Sequence, residues 1–205
     1  MGGKIPTTDD RKIIAAFDFD GTITKRDTLP LFINFASTKR QLLFGSLKMA
    51  PSLFLFKLKF IPNYKAKERL FRIFFGGMKI EKFDKLCEAF TFSIEKVLNP
   101  VAIEKIKWHQ KMNHQVIIIS ASAENWIRPW AAKYGIDVIL ATQLQVKDNN
   151  ITGNFLTQNC HGAEKVCRLL QHYPDKESYT LYAYGDSSGD KELLALADHA
   201  YYRSF

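Results

Sequence analysis

The chain has 205 residues, enough for one domain or for a core carrying an insertion. Its 46% hydrophobic and 24% charged residues are those of a globular protein and argue against wholesale disorder. The net charge of +8 is uneven: residues 39–85 hold twelve Lys and Arg against three acids, which points to an anionic partner or to a lysine-rich solvated surface.

At the N-terminus no apolar run follows the first charge, so residues 1–10 do not read as a secretory signal, and Pro6 stands where a myristoylation pattern needs Ser or Thr. Residues 12–17 form an apolar run that breaks into Asp-Phe-Asp-Gly-Thr, which predicts a buried strand and a glycine turn. Residues 28–112 show no clear alternation of period two. Helical patterns occupy 29–35, 41–49, 65–75, 80–95 and 100–111, and the segment reads as a helical cap inserted after the first strand. Beyond it, residues 115–119 predict a strand ending at Ser120, 125–134 a helix and 137–141 a weaker strand. Residues 143–146 and 151–156, joined by Lys-Asp-Asn-Asn, predict a hairpin. A helix over 162–172, a strand over 179–184 ending in Gly185-Asp186, a helix over 191–197 and a last strand over 199–202 complete the pattern. Strand and helix in alternation imply a parallel sheet with helices on both faces. Cys87, Cys160 and Cys167 are an odd number and fit reduced thiols in a cytoplasmic protein rather than a disulfide framework.

Residues 42–60 are the most apolar stretch. A membrane span needs roughly 20 apolar residues with few charges; here Lys48, Lys57 and Lys59 intrude and Pro51 divides the run. Two short amphipathic helices are expected instead. Their Phe and Leu residues either fill the core of the cap or form an interfacial patch that meets lipid.

The chemistry-bearing residues sit just after the strands. Ligands of a parallel sheet bind beyond the carboxyl ends of its strands, which is where Asp18 and Asp20 arrive, two apart and on one side. Two acids so close can divide labour, one nucleophilic and the other exchanging protons. Asp186 follows a second strand end and, with Asp18, suits the hard-oxygen requirement of Mg²⁺. Asp190, one turn further, either supports that site or caps the helix at 191. Ser120 at its strand–helix junction suits a phosphate oxygen and is otherwise an ordinary helix cap. Lys165 either neutralises phosphate charge or faces solvent.

In this order, Asp-x-Asp-Gly-Thr, a strand ending in Ser, a helical Lys and Gly-Asp-Ser-x-x-Asp, the chain resembles the haloacid dehalogenase superfamily of phosphotransferases from about residue 12 to 202. The resemblance implies a Rossmann-like three-layer α/β core, residues 1–27 with 113–205, and a helical cap over 28–112. It implies Asp18 as nucleophile and metal ligand, and Asp20 as general acid and base that also binds Mg²⁺ through its carbonyl. Ser120 and Lys165 would hold the phosphoryl group, with Asp186 as metal ligand and Asp190 as its support. The helical insertion and Cys-His-Gly-Ala-Glu-Lys-Val are similar to the phosphoserine-phosphatase-like subfamily IB, and the basic, apolar cap segment to bacterial phosphatidylglycerophosphatase C. Asp27 stands where phosphoserine phosphatases carry a Glu, and Arg72 near their substrate-binding cap Arg. The resemblance thus implies a Mg²⁺-dependent phosphomonoesterase acting on a phosphorylated small molecule or a lipid phosphate, cytoplasmic or peripheral to the inner face of the membrane. A non-catalytic binding protein for an anionic partner is the alternative of a different class; no nucleic-acid recognition motif accompanies the charge.

Overall fold

The structure, a computed structural model, describes residues 11–57 and 62–205. Strand β1 (Lys12–Phe17) leads into helices α1 (Thr28–Ala36), α2 (Lys39–Lys57), α3 (Asn63–Phe75), α4 (Ile80–Glu95) and α5 (Pro100–Lys111). Then follow β2 (Gln115–Ala123), α6 (Glu124–Lys133), β3 (Val138–Thr142), a hairpin of β4 (Leu144–Lys147) and β5 (Asn150–Phe155), and α7 (Ala163–His172). Strand β6 (Tyr179–Gly185), α8 (Lys191–Leu196) and β7 (His199–Tyr202) finish the chain.

The main sheet has the order β3-β2-β1-β6-β7 and every pairing in it is parallel. A parallel sheet is covered on both faces, so its central strands are apolar throughout. Ile14, Ala15, Ala16 and Phe17 of β1 are all fully buried. Their alternation divides the core: Ala15, Phe17, Val116 and Ile118 face one apolar cluster, and Ile14, Ala16, Ile117 and Ile119 the other, with Leu169 of α7 and Leu193 of α8. The sheet grows in one direction through β2 and β3 and in the other through β6 and β7. The reversal beside β1 opens a crevice at the strand ends.

The helices between β1 and β2 pack against this core. Phe32, Phe71, Phe75, Phe83 and Phe90 share the first apolar cluster with Trp126 and Trp130 of α6. Helix α5 lies on the sheet, where buried His109 bonds the Tyr184 hydroxyl at 2.9 Å. The hairpin joins the α3–α4 turn through Gly77 N–H to Ile151 O and Ile151 N–H to Met78 O, both 2.8 Å.

Three local expectations change. Pro51 lies inside a single helix, α2, rather than between two. Its missing N–H removes only the bond to the carbonyl of Leu47, on an exposed face where water can serve that oxygen. Strand β2 runs past Ser120 to Ala123, with a register shift between those two residues. Asp190 does not cap α8 with its side chain but closes the loop before it. Among the described residues no helix is long and apolar enough to cross a membrane.

Candidate active site

The crevice holds a cavity of about 360 Å³ lined by Asp18, Asp20, Asp27, Ser120, Lys165 and Asp186, together with Asn63, Lys67 and His161. Asp18 leaves the end of β1 with its N–H bonded to Tyr184 O at 2.9 Å, which aims the side chain past the strand ends. Lys165, on the first turn of α7 and 2% exposed, donates to Asp18 Oδ1 at 2.6 Å, to Asp190 Oδ1 at 2.5 Å and to Ile119 O at 3.0 Å. Burial alone would neutralise this ammonium, but Asp18 and Asp190 reverse that and hold it charged. Among the described residues no hydrogen bond reaches Asp18 Oδ2, so that oxygen is left for the cavity.

The acids occupy different surroundings. Burial pushes the Asp18 carboxyl up to about 7, with Lys165 pulling against it and Asp190 and Asp20 adding to the rise. Asp20 is also raised, by burial and then by Asp27. Its Oδ1 accepts from Thr28 N at 2.8 Å and Thr28 Oγ1 at 2.6 Å, and its Oδ2 pairs with Ser122 Oγ. Trp126 Nε1 donates to Thr28 Oγ1 at 3.1 Å and fixes that hydroxyl.

Asp186 sits where Gly21 turns back, at φ +80°, and a Cβ on Gly21 would fall 2.4 Å from an Asp186 carboxylate oxygen. Only glycine allows both that φ and that approach. Oxygen atoms of Asp18, Asp186 and Asp190 lie within 4.8 Å of one another. Asp190 is already committed: Oδ1 to Lys165, Oδ2 to Asp186 N at 3.2 Å, Ser187 N at 3.0 Å and Ser187 Oγ at 2.8 Å. Burial would raise its carboxyl, but Lys165 and Ser187 bring it below the ordinary value. Asp18 and Asp186 therefore remain as the open carboxylates. Burial, chiefly, and the neighbouring Asp190 raise both. Two all-oxygen donors beside a third buried carboxylate are the environment a hard divalent cation relieves.

Ser120, 1% exposed, lines the cavity and accepts from Ser122 N at 3.1 Å. Asp27 lines it too, while its Oδ1 caps α1 through Leu29 N at 2.9 Å. Arg72 is not among the lining residues; it is exposed and donates to Asn154 on the hairpin. On α3, Asn63 and Lys67 are four apart and share the face toward the site, whereas Arg72 lies five beyond Lys67 and so points elsewhere. Lys67 Nζ reaches Ala121 O at 3.4 Å. His161 is pushed toward its neutral form by burial, Lys67 and Lys165. Asn63, Lys67, His161, Thr28 and Ser122 were not singled out from the sequence. An i, i+4 pair of polar residues on an otherwise amphipathic cap helix was the available signal for the first two.

A model of haloacid dehalogenase-like hydrolases matches residues 15–195, from within β1 into α8 and across every strand end that builds the cavity. The chain belongs to that family. Over 196 residues it is 32% identical to protein CicA of Caulobacter vibrioides, which covers 94% of this chain and 86% of that one. A histidinol-phosphatase of Neisseria meningitidis is 30% identical over 105 residues, 48% of this chain and 47% of the relative. Among solved structures, a Bordetella pertussis protein of unknown function matches with a TM-score of 0.78 at 18% identity, over 90% of this chain and 86% of its own. A substrate-bound phosphoserine phosphatase matches with a TM-score of 0.59 at 19% identity, over 92% and 84%. At such identities these two establish the shared haloacid dehalogenase-like fold.

Proposed function

We propose that this hydrolase removes phosphate from a phosphomonoester through a phosphoaspartate on Asp18, with Mg²⁺ as cofactor. The observation that carries the reading is the division between the two acids: Asp18 has one oxygen pinned by Lys165 and the other open to the cavity, whereas both oxygens of Asp20 are held by Thr28 and Ser122, with burial and Asp27 raising its pKa against those bonds. Asp18 Oδ2 attacks phosphorus while Asp20 delivers its proton to the departing alkoxide. A water then gives its proton to Asp20 and attacks the same phosphorus, releasing phosphate and restoring Asp18. The Ser122 hydroxyl can donate or accept, so it serves Asp20 in either protonation state. Lys165 and Ser120 meet the negative charge of the phosphoryl oxygens. Mg²⁺, when bound, would be held by Asp18, Asp186 and the Asp20 carbonyl, and would add positive charge at those oxygens.

The similarity to a substrate-bound phosphoserine phosphatase and to a histidinol-phosphatase supports phosphatase chemistry. Lys67 and Asn63 on the cap side of the cavity fit a substrate with a further anionic or polar group. A phospho-amino acid and a lipid phosphate monoester, as in phosphatidylglycerophosphate, both meet that description.

The test is phosphate release from an aryl phosphate with EDTA and with Mg²⁺ restored, beside Asp18→Asn, and mass analysis of acid-quenched protein. Release is expected to vanish with EDTA, to return with Mg²⁺ and to be lost in Asp18→Asn, with the phosphoryl group found on the Asp18 peptide. Full rate after exhaustive chelation, or an active Asp18→Asn, would overturn the reading.

A further inference from the structure

Helix α2 has two apolar faces, and the chain covers one of them. Gly45 and Met49 are buried on the inner face; a Cβ on Gly45 would meet the Phe74 ring of α3 at 2.3 Å, so the two helices are in direct contact there. On the outer face Leu43, Phe44 and Leu47 are 62%, 62% and 64% exposed. At 100° per residue they form one stripe, continued by exposed Ala50 and Pro51. Arg40 stands at the N-terminal end of the stripe and Lys48 beside it, both exposed, Lys39 precedes them, and α2 contains no Asp or Glu at all.

We propose that this outer face of α2 docks on an anionic lipid bilayer. The charge decides the occupant. Two copies of the chain meeting through this stripe would bring Arg40 and Lys48 of each against their own kind, which opposes self-association. A bilayer surface rich in anionic headgroups instead pairs with the basic flanks while the three large apolar side chains enter the acyl boundary. Leu53, Phe54, Leu55, Phe56, Leu58 and Phe60, with Lys57 and Lys59, have side chains outside the described residues, and the stripe at 43–47 stands without them. Because α2 packs on α3, whose Asn63 and Lys67 line the cavity, docking also brings that cavity's helix to the lipid surface.

The experiment is co-sedimentation of the full chain with vesicles of phosphatidylcholine alone and of phosphatidylcholine with phosphatidylglycerol, at low and at physiological salt. Binding is expected to the anionic vesicles only, and to weaken with salt as the Debye length shortens from about 30 Å to about 8 Å. Each basic residue at such a surface is worth roughly fivefold in partitioning, so Arg40→Glu with Lys48→Glu should lower binding by more than about tenfold. The triple variant Leu43→Ser, Phe44→Ser, Leu47→Ser should also lose binding at least about tenfold, since each loses an apolar side chain's burial. Its melting temperature and its rate on a soluble aryl phosphate should be unchanged. No binding to anionic vesicles at low salt, or undiminished binding by the folded triple variant, would overturn the proposal. So would a concentration-dependent dimer that the triple variant abolishes, which would assign the face to a second copy. Because vesicle binding is measured without turnover, its failure leaves the proposed chemistry standing, and loss of that chemistry leaves the docking result standing.

Discussion

Asp18 and Asp20 are one residue apart from being neighbours, yet their side chains are held by unrelated parts of the chain. Asp18 is paired with Lys165 of α7, Asp20 with Thr28 and Ser122. Replacing Asp20 by Asn keeps the size and the Thr28 bonds but removes the exchangeable proton. Turnover of an aryl phosphate should fall roughly 10²- to 10⁴-fold, with phosphoenzyme accumulating because its hydrolysis needs the same base; steady-state rates and acid-quench mass analysis check both. Lys165 carries a different load. It is the cation between two buried carboxylates, and breaking such a pair leaves uncompensated charge worth about 3–5 kcal/mol. Lys165→Met, measured by urea unfolding in EDTA, should lose stability on that scale as well as activity. Asp18, Asp20, Asp186, Asp190, Ser120 and Lys165 were legible in the sequence because each follows a strand end or opens a helix at a recognisable spacing. Ser122 and His161 were not: a serine two residues past Ser120 carries no signal until the chain folds over it, and in Cys-His-Gly-Ala-Glu-Lys-Val the recognisable residue is Lys165 rather than His161. Arg72 shows the opposite error: its type suited an anion, while its helical phase pointed it at Asn154.

At the scale of elements, strands proved easier to place than their ends. The strand over 115–119 was plain from its isoleucines, but its continuation through Ser120-Ala-Ser-Ala had no apolar run to mark it, being set by pairing with β3. In α2 the proline was read as a divider, and the helix passes through it. That passage has a cost: an interior proline forfeits one hydrogen bond and crowds the preceding turn, about 3 kcal/mol in a helix interior. Pro51→Ala should therefore stabilise the protein by about 1–3 kcal/mol, seen as a higher urea midpoint with an unchanged slope. A lower midpoint would mean that α2 is not continuous there.

At the scale of the whole molecule, an aromatic and histidine contact joins α5 to the sheet. His109 is fully buried, with Nε2 at 2.9 Å from the Tyr184 hydroxyl and Nδ1 at 2.8 Å from His114 Nδ1. Burial first, then His114 and Lys105, lower its pKa from 6.5 to about 4. The unfolded chain therefore takes up a proton below pH 6.5 that the folded chain refuses until about pH 4. The sign follows: this contribution is complete above pH 6.5 and is lost as the pH falls toward 4, on the order of 2 kcal/mol. Urea unfolding of the wild type beside His109→Gln at pH 7 and pH 4.5 isolates this contribution from the opposite one of the raised carboxyls Asp18, Asp20 and Asp186: the stability difference between the two proteins should change in favour of the variant by about that amount at pH 4.5. The overall α/β pattern was open to a reading of the sequence, since alternating strands and helices leave a parallel sheet as their solution. The depth to which the inserted helices merge with that sheet was not, because periodicity shows that a helix has an apolar face without showing what the face meets.

That merging bears on how such enzymes diversify. Phe32 stacks on Trp126 with ring centroids 4.9 Å apart and Phe71 lies over the same indole at 6.0 Å. Lifting α1–α4 as a lid would part Phe32 and Phe71 from Trp126, at roughly 1.5–3 kcal/mol for each side chain returned to water, a cost that keeps these helices on α6 beside the cavity that Asn63 and Lys67 line. A chimera that takes its inserted helices from a relative would inherit rings shaped to another indole. To fold, it must import the donor's α6 along with them, which makes that helix, and not the loop at residue 28, the seam along which substrate preference can be transplanted.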